Sequence, residues 1–386
     1  MGAAVPDKVE FYRHSVGNAE REAVTEAMEG AFLTTGAITH AFESELASYL
    51  GGEVHALGTN SCTAALHLAL IGLGIGEGDE VITTPLTFIA TANAILHAGA
   101  TPVFADVEAD TGLIDLGQVE RAITPRTRAV IPVHLYGQMV DVAALQSLCK
   151  PRGIKVIEDA AHAVEPRRNG VQPGQLGDAA CFSFYGTKNI TSGEGGALVS
   201  RDERLIERMR MLGTHGMSKN AAGRYGGSYE HWDMLELGYK YNLSNLQAAM
   251  LRPQLARIES LWSQRAAVVT GYSEALCDLP GLTLPRQLGG EDTRSAHHLQ
   301  VIWVRGRRDE LLAGYGEQGI GVAVNYRAIH RLTYYAQRLG LQPGSYPVAE
   351  DLGERCISLP LYPSLTHAEQ QRVIEVTSQL HERLLN

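Results

Sequence analysis

Lys188 lies in C-F-S-F-Y-G-T-K-N-I-T-S-G-E-G-G-A-L-V, residues 181–199. The apolar run Phe182 to Tyr185 precedes it, and Gly195-Gly196-Ala197-Leu198-Val199 follows. The two runs read as strands, with a Gly-rich turn between them. A lysine held on such a turn is desolvated, and desolvation disfavours the ammonium form, so the amine gives up its proton nearer neutral pH. The neutral amine is the form that condenses with an aldehyde to a Schiff base. Read alone, the same residue is equally a solvated lysine on a surface turn. Three other segments bear on the choice.

Asp159 ends K-V-I-E-D, whose β-branched Val156-Ile157 reads as a strand, followed by A-A-H. Ligands of open α/β sheets sit outside the carboxyl ends of the strands. A buried carboxylate there can keep a pyridinium nitrogen protonated, making a pyridoxal ring an electron sink. Ala161 is small enough to lie against such a ring, and His162 is placed to meet its phenolic oxygen. The structural alternatives are a helix N-cap at Asp159 and a core histidine at His162. In G-T-N-S-C-T-A-A-L-H-L-A-L, residues 58–70, small polar residues open a helical pattern. A helix N-terminus offers free amides and the positive end of the dipole, so Cys62 and Thr63 can meet a phosphate. An ordinary cap at Asn60 or Ser61 is the alternative. Phe88, just past the strand Glu80 to Thr83, is a candidate to stack on a planar ring, or else plain core.

Taken in order, phosphate cradle, aromatic, strand-end carboxylate and strand-turn lysine, the chain resembles the DegT/DnrJ/EryC1/StrS family. These are fold-type-I, pyridoxal-phosphate-dependent nucleotide-sugar aminotransferases. The resemblance runs from F-L-T-T-G at 32–36 to S-L-P-L-Y-P-S-L-T at 358–366. It is carried most specifically by G-D-E-V-I-T-T-P-L-T-F, G-A-T-P-V-F-A-D-V, V-I-P-V-H-L-Y-G-Q, I-E-D-A-A-H-A and G-Y-K-Y-N-L-S-N-L-Q-A-A. By this resemblance Lys188 is the Schiff-base lysine and proton shuttle, Asp159 the partner of the pyridine nitrogen, and His162 the neighbour of the ring hydroxyl. Phe88 stacks, and Cys62, Thr63 and Ser183 contact the phosphate. Asn242 matches an asparagine that reaches the phosphate of a partner subunit, which implies a homodimer with shared active sites. His215, Lys240 and His330 fall in segments lining the sugar pocket. No metal is implied.

The implied reaction moves an amino group from L-glutamate to a nucleotide-linked keto sugar, with ping-pong kinetics because both halves share one pocket. The G-E-G-G run at 193–196 and N-Y-R-A-I-H-R-L-T-Y-Y at 325–335 are similar to relatives that aminate C4. The alternatives are C3, a keto-cyclitol, or a non-catalytic pyridoxal-binding regulator. Asn325, where many relatives have histidine, and Gly186, two residues before the lysine, depart from the family pattern.

Composition fits a soluble globular protein: of 386 residues, 45% are hydrophobic and 20% charged. The formal net charge of −10 gives no support to nucleic-acid or anionic-membrane binding. An anionic substrate would need local cations, for which Lys240, Arg224 and Arg327 are candidates. The five cysteines are scattered with no C-x-x-C pair, so neither a zinc site nor a disulfide framework is suggested. The opening M-G-A-A-V-P-D-K-V-E lacks an apolar run and no bilayer-length apolar segment follows, making cytoplasm the expected location.

These residues require a largely parallel α/β sheet. Strand patterns at 81–84, 101–107, 129–134, 155–159, 180–184 and 196–200 alternate with helical ones, and the last strand is expected to return antiparallel. A helix over Glu20 to Gly30 opens the chain. A Gly-rich stretch, Thr214 to Gly238, with Tyr225, Tyr229 and Trp232, reads as a loop over the site. One long helix from about Asn245 to Leu276 leads into a smaller part with a strand at 298–304 and helices at 308–315 and 366–380. The last helix carries a Thr366/Glu369 capping box. The expected division is a large cofactor-binding domain, 1–250, and a smaller C-terminal α/β domain, 251–386.

Overall fold

The computed structural model describes residues 8–218 and 231–385; Arg224, Tyr225 and Tyr229 lie outside the described residues. Its centre is a seven-stranded sheet built from β1 (His55–Thr59), β2 (Glu80–Thr83), β3 (Thr101–Phe104), β4 (Thr127–Ile131), β5 (Lys155–Asp159), β6 (Ala179–Ser183) and β7 (Gly196–Ser200), in the order β1-β7-β6-β5-β4-β2-β3. The β2–β3, β2–β4, β4–β5 and β5–β6 pairs are parallel. Only β7 runs against its neighbours, pairing antiparallel with both β1 and β6. The strands are buried on both faces, as covered parallel sheets require. Alternation sorts the side chains: Cys181 and Leu198 join the core with Val81, Ile157 and the helix Cys62–Gly72, whereas Phe182 and Val199 face Phe42, Leu46 and Leu251 on the other side.

Register gathers the chemistry at one edge. Thr59 and Ser183 both pair with Gly196, and Asp159 pairs with Cys181, two residues before Ser183. The carboxyl ends of β1, β5 and β6 therefore meet the start of β7. There the helix Cys62–Gly72 begins, its Ala64 amide capped by Ser61 Oγ at 3.1 Å. Its tight seat on β7 needs Gly196, because a Cβ there would stand 2.4 Å from Ser61 C and 2.6 Å from Cys62 N.

A second, antiparallel sheet follows, ordered β10-β9-β8: β8 (Leu282–Thr283), β9 (Gln300–Val304) and β10 (Cys356–Leu359). Ile302 and Val304 pack with helices Ile258–Leu276, Arg308–Glu317 and His367–Leu385, while Val301 and Trp303 join the core containing Ile82, Val130 and Val156 of the large sheet. The capping box is formed: Thr366 Oγ1 accepts from the Glu369 amide at 3.2 Å, and Glu369 Oε2 accepts from the Thr366 amide at 2.9 Å. The expected single helix over 245–276 is two, Asn245–Ala256 and Ile258–Leu276, broken at Arg257 four residues after Pro253. β1 was not expected, since H-A-L-G-T has almost no β-branched character.

Candidate active site

Between β6 and β7 the backbone folds into a turn tied by its own side chains. Thr191 Oγ1 donates to Phe184 O (3.1 Å) and accepts from the Gly193 amide (2.9 Å), and Gln254 accepts from the Thr191 amide at 3.0 Å. The Lys188 amide donates to Tyr185 O at 2.9 Å. The lysine side chain lines a cavity of about 500 Å³ together with Cys62, Thr63, Phe88, Asp159, His162 and Ser183. The structure thus brings these seven sequence-derived candidates into one space. Burial lowers the Lys188 pKa from 10.5 to about 8, against the opposing pull of Cys62 and Asp159.

Asp159 is buried at the end of β5 with both oxygens engaged. Thr91 Oγ1 donates to Oδ2 at 2.8 Å and the Ala161 amide to Oδ1 at 3.1 Å. Burial raises its pKa, opposed by those two hydrogen bonds and by Lys188. Asp159 is therefore a fixed acceptor at the cavity floor. At the phosphate-cradle end, the amides of Cys62 and Thr63 sit in the first turn of their helix, where no intrahelical acceptor exists. The Cys62 thiol points at Cys181 O, 3.4 Å away, so this residue offers the cavity its backbone. Ser183 Oγ accepts from the Tyr185 amide at 3.3 Å and keeps its own proton to donate.

His162 is locked in one tautomer. The Tyr136 amide donates to Nδ1 at 3.3 Å, which leaves the ring proton on Nε2, 3.0 Å from the Tyr326 hydroxyl. Burial, with Lys188 and His298 adding to it, drives its pKa well down and keeps the ring neutral. His298 packs on it with centroids 4.3 Å apart and donates to Asn189 Oδ1 at 3.0 Å. Asn189 in turn donates to Glu165 at 3.0 Å, and Glu165 pairs with the buried Arg265. Phe88, 55% exposed, stands at the mouth with its centroid 5.9 Å from that of Tyr326. Thr91, Tyr326 and His298 are site residues that sequence reasoning missed. Thr91 carried a signal, lying one helical turn beyond Phe88.

The remaining candidates lie elsewhere. Asn242, Lys240 and His215 line a second cavity of about 430 Å³, where Lys240 Nζ donates to Asn242 Oδ1 (2.6 Å) and Asn242 Nδ2 to Thr35 Oγ1 (2.7 Å). His330 enters neither cavity. It is 1% exposed, with Nε2 2.8 Å from Glu350 and its ring against Tyr346, so it stands as a core histidine. Among the described residues no cluster of His, Cys, Asp or Glu is arranged to hold a metal, and no helix is long and apolar enough to cross a membrane.

The sequence profile of the DegT/DnrJ/EryC1/StrS aminotransferase family matches residues 14–378. The chain belongs to this family. The aminotransferase is 42% identical over 373 residues to the spore coat polysaccharide biosynthesis protein SpsC of Bacillus subtilis, covering 95% of each chain. Among solved structures it is similar to S. venezuelae DesV in complex with a ketimine intermediate (38% identity, 95% of each chain, TM-score 0.85). It is similar also to Helicobacter pylori PseC, an aminotransferase involved in the biosynthesis of pseudoaminic acid (30% identity, 98% of this chain and 100% of that one, TM-score 0.90). The putative sugar aminotransferase Spr1654 of Streptococcus pneumoniae matches in its PLP form at a TM-score of 0.91 and 29% identity, covering 98% of this chain and 100% of that one.

The aminotransferase is a pyridoxal-phosphate-dependent sugar enzyme by family, and its cavity fits that cofactor. Free first-turn amides and hydroxyls suit a phosphate monoester, and the close approach at Gly196 keeps that cradle tight. The buried Asp159 suits a cationic ring nitrogen. A desolvated lysine suits an aldehyde, and Phe88 and Ala161 line the same cavity with flat or small surfaces.

Proposed function

We propose that the enzyme transfers an amino group from L-glutamate to a nucleotide-linked 4-keto sugar, acting as a homodimer with shared active sites. The observation that carries this reading is the convergence of the desolvated Lys188 amine and the buried Asp159 carboxylate in one cavity. When bound, pyridoxal phosphate supplies an aldehyde with which amines condense and a ring that takes up an electron pair. Lys188 Nζ, neutral over much of the range near its lowered pKa, removes and returns the proton at the amino-bearing carbon. Asp159 presents negative charge where the ring nitrogen belongs, and Thr91 and Ala161 hold that carboxylate in place. The neutral His162 keeps its Nε2 proton on a donor axis shared with Tyr326.

Two features support the homodimer. Phe88, Tyr185, Trp232, Met234, Leu235 and Leu237 are large apolar side chains left exposed, more contiguous along 232–237 than an isolated chain favours. Asn242 and Lys240 line a cavity apart from Lys188, as expected if they complete the site of a second protomer. The pseudoaminic acid biosynthesis named for PseC and the spore coat polysaccharide biosynthesis named for SpsC support a sugar acceptor.

The test has two stages. Holoenzyme mixed with L-glutamate should release stoichiometric 2-oxoglutarate with a change in the visible spectrum. The aminated enzyme is then offered nucleotide-linked 4-keto and 3-keto sugars, with the product's amino carbon located by NMR. A silent first stage alongside turnover of another amino donor would remove L-glutamate, and an amine at C3 would remove the C4 assignment.

A further inference from the structure

The lysine cavity does not end at its mouth. Thr87, Phe88 and Tyr326 line it and also wall a neighbouring cavity of about 300 Å³, whose other sides are Ile89, Leu312, Val324 and Leu332. Arg308 and Arg327 line that second cavity too, and both continue into an open groove of about 1280 Å³ beside β8–β10. Shared walls set the three spaces side by side along one track: reactive amine, apolar side chains, then guanidinium groups.

The arginines along the track are not alike. Arg307, Arg331 and Arg355, in the outer groove, are each paired with a carboxylate, Glu310, Glu350 and Asp351 respectively. Arg327 has no carboxylate partner among the described residues and is exposed. Arg308 spends its Nε on Asp309, a rim residue 83% exposed, but its NH1 is buried with nothing to donate to. An orphaned guanidinium N–H is costly to leave unmade and is matched by an oxyanion, for which the planar fork of arginine is suited. The chain as a whole is anionic, so an anionic substrate depends on such a local pair.

We infer that Arg308 and Arg327 bind the diphosphate of the sugar nucleotide along this track, setting the distance at which the sugar meets Lys188. The inference rests on the proposed nucleotide-linked acceptor. It assigns the phosphate contacts to arginines flanking the small sheet of the same chain that carries the lysine. Among the described residues Arg305 also lacks a carboxylate partner, but it lines only the outer groove, which makes it the internal control.

The experiment is calorimetric titration of holoenzyme with uridine and thymidine diphosphates, for the native enzyme and for R327A, R308Q and R305A. It is paired with release of 2-oxoglutarate from L-glutamate, which reports an intact fold and cofactor site without the nucleotide. The expected result is a nucleoside diphosphate affinity lowered about 10- to 100-fold in R327A and R308Q, the range set by a hydrogen bond to a charged group. R305A should bind as the native enzyme does and should release 2-oxoglutarate at the native rate. Should R308Q fold poorly, the exposed R327A decides alone. Equal affinity in R327A and the native enzyme overturns the arginine assignment and leaves the proposed function standing. Failure of the native enzyme to bind any nucleoside diphosphate, with 2-oxoglutarate release intact, overturns the nucleotide-linked acceptor itself.

Discussion

The two cavities that hold the candidate residues differ in how they are built. The lysine cavity is walled by the ends of β5 and β6, the turn into β7 and the start of the helix Cys62–Gly72, and its Asp159 and His162 are held by hydrogen bonds: Asp159 to Thr91 and Ala161, His162 to Tyr136 and Tyr326. The Asn242 cavity is bordered by exposed side chains, among them His215, Trp232, Met234 and Lys240. The first holds buried, mutually bonded groups beside Lys188. The second is bordered by exposed side chains, and the homodimer proposed above would close it from outside.

The sharpest way to break this contrast is K188A. It should cost at least the 10²–10⁴-fold that a positioned proton-transfer group supplies, while apoenzyme melting temperature stays level or rises as a buried amine is removed. Activity within about tenfold of native would take the chemistry away from this cavity. D159N comes next. It keeps the size of the side chain but removes the charge facing the ring nitrogen, and the expected loss in kcat is roughly 10²–10³-fold, the scale of one pre-organised electrostatic contact. If D159N is as active as native, burial of this carboxylate serves packing only.

N242A probes the second cavity and should leave the pH profile of kcat unchanged. Its expected effect is cofactor retention weakened by about tenfold, the value of one hydrogen bond to a charged phosphate. The weakening should track dimer content by light scattering on dilution. Retention unchanged in a stable dimer would separate the second cavity from the cofactor altogether. A pH series sharpens the first cavity. With Lys188 at about 8 rather than 10.5, about a tenth of the amine is neutral at pH 7 instead of roughly one part in three thousand. The rate at which apoenzyme takes up pyridoxal phosphate should rise about tenfold per unit below pH 8 and level off above it. A rise continuing to pH 10 would mean that the amine is solvated.

What could be read from the sequence follows the same division. The strands β2 to β5 announced themselves by runs with β-branched residues, β6 and β7 by apolar runs on either side of a Gly-rich turn, and the antiparallel return of β7 was expected. The lysine, the strand-end carboxylate and the helix N-terminus were ambiguous one by one and became legible through their order along the chain and the family resemblance that order carries. β1 was not, because His55 to Thr59 owes its conformation to pairing with the distant β7, His55 with Ser200 and Thr59 with Gly196. Tyr326 and His298 were illegible for a similar reason: their partners His162 and Asn189 lie 164 and 109 residues away, and only topology brings them together. The break at Arg257 had a visible cause in Pro253, masked by the apolar period on either side.

His330 gives the smallest expected effect on chemistry and a clean test of where the site stops. A histidine in N-Y-R-A-I-H, five residues after Asn325, looks placed for a sugar, yet the short helical turn Ile329–Arg331 rotates it into the core. There Nε2 meets Glu350, which Arg331 also holds at 2.7 Å. Burial pushes the Glu350 carboxyl up, but bonds from His330, Arg331 and the amides of Gly344 and Tyr346 outweigh it and bring the group down to about 2. A carboxyl lowered on folding contributes stability at neutral pH that is lost as pH falls toward that lowered value. H330L should therefore leave kcat and KM within about twofold of native. It should lower stability by about 1–3 kcal/mol, as expected when a buried hydrogen bond to a charged group loses its donor. The loss should be measurable by urea unfolding at pH 7 and should shrink toward pH 3, because below its ordinary pKa the carboxyl is protonated in the unfolded chain while folded Glu350 still excludes the proton. A raised KM for the keto sugar with unchanged stability would instead put His330 back in the substrate pocket and extend the reaction site beyond the lysine cavity.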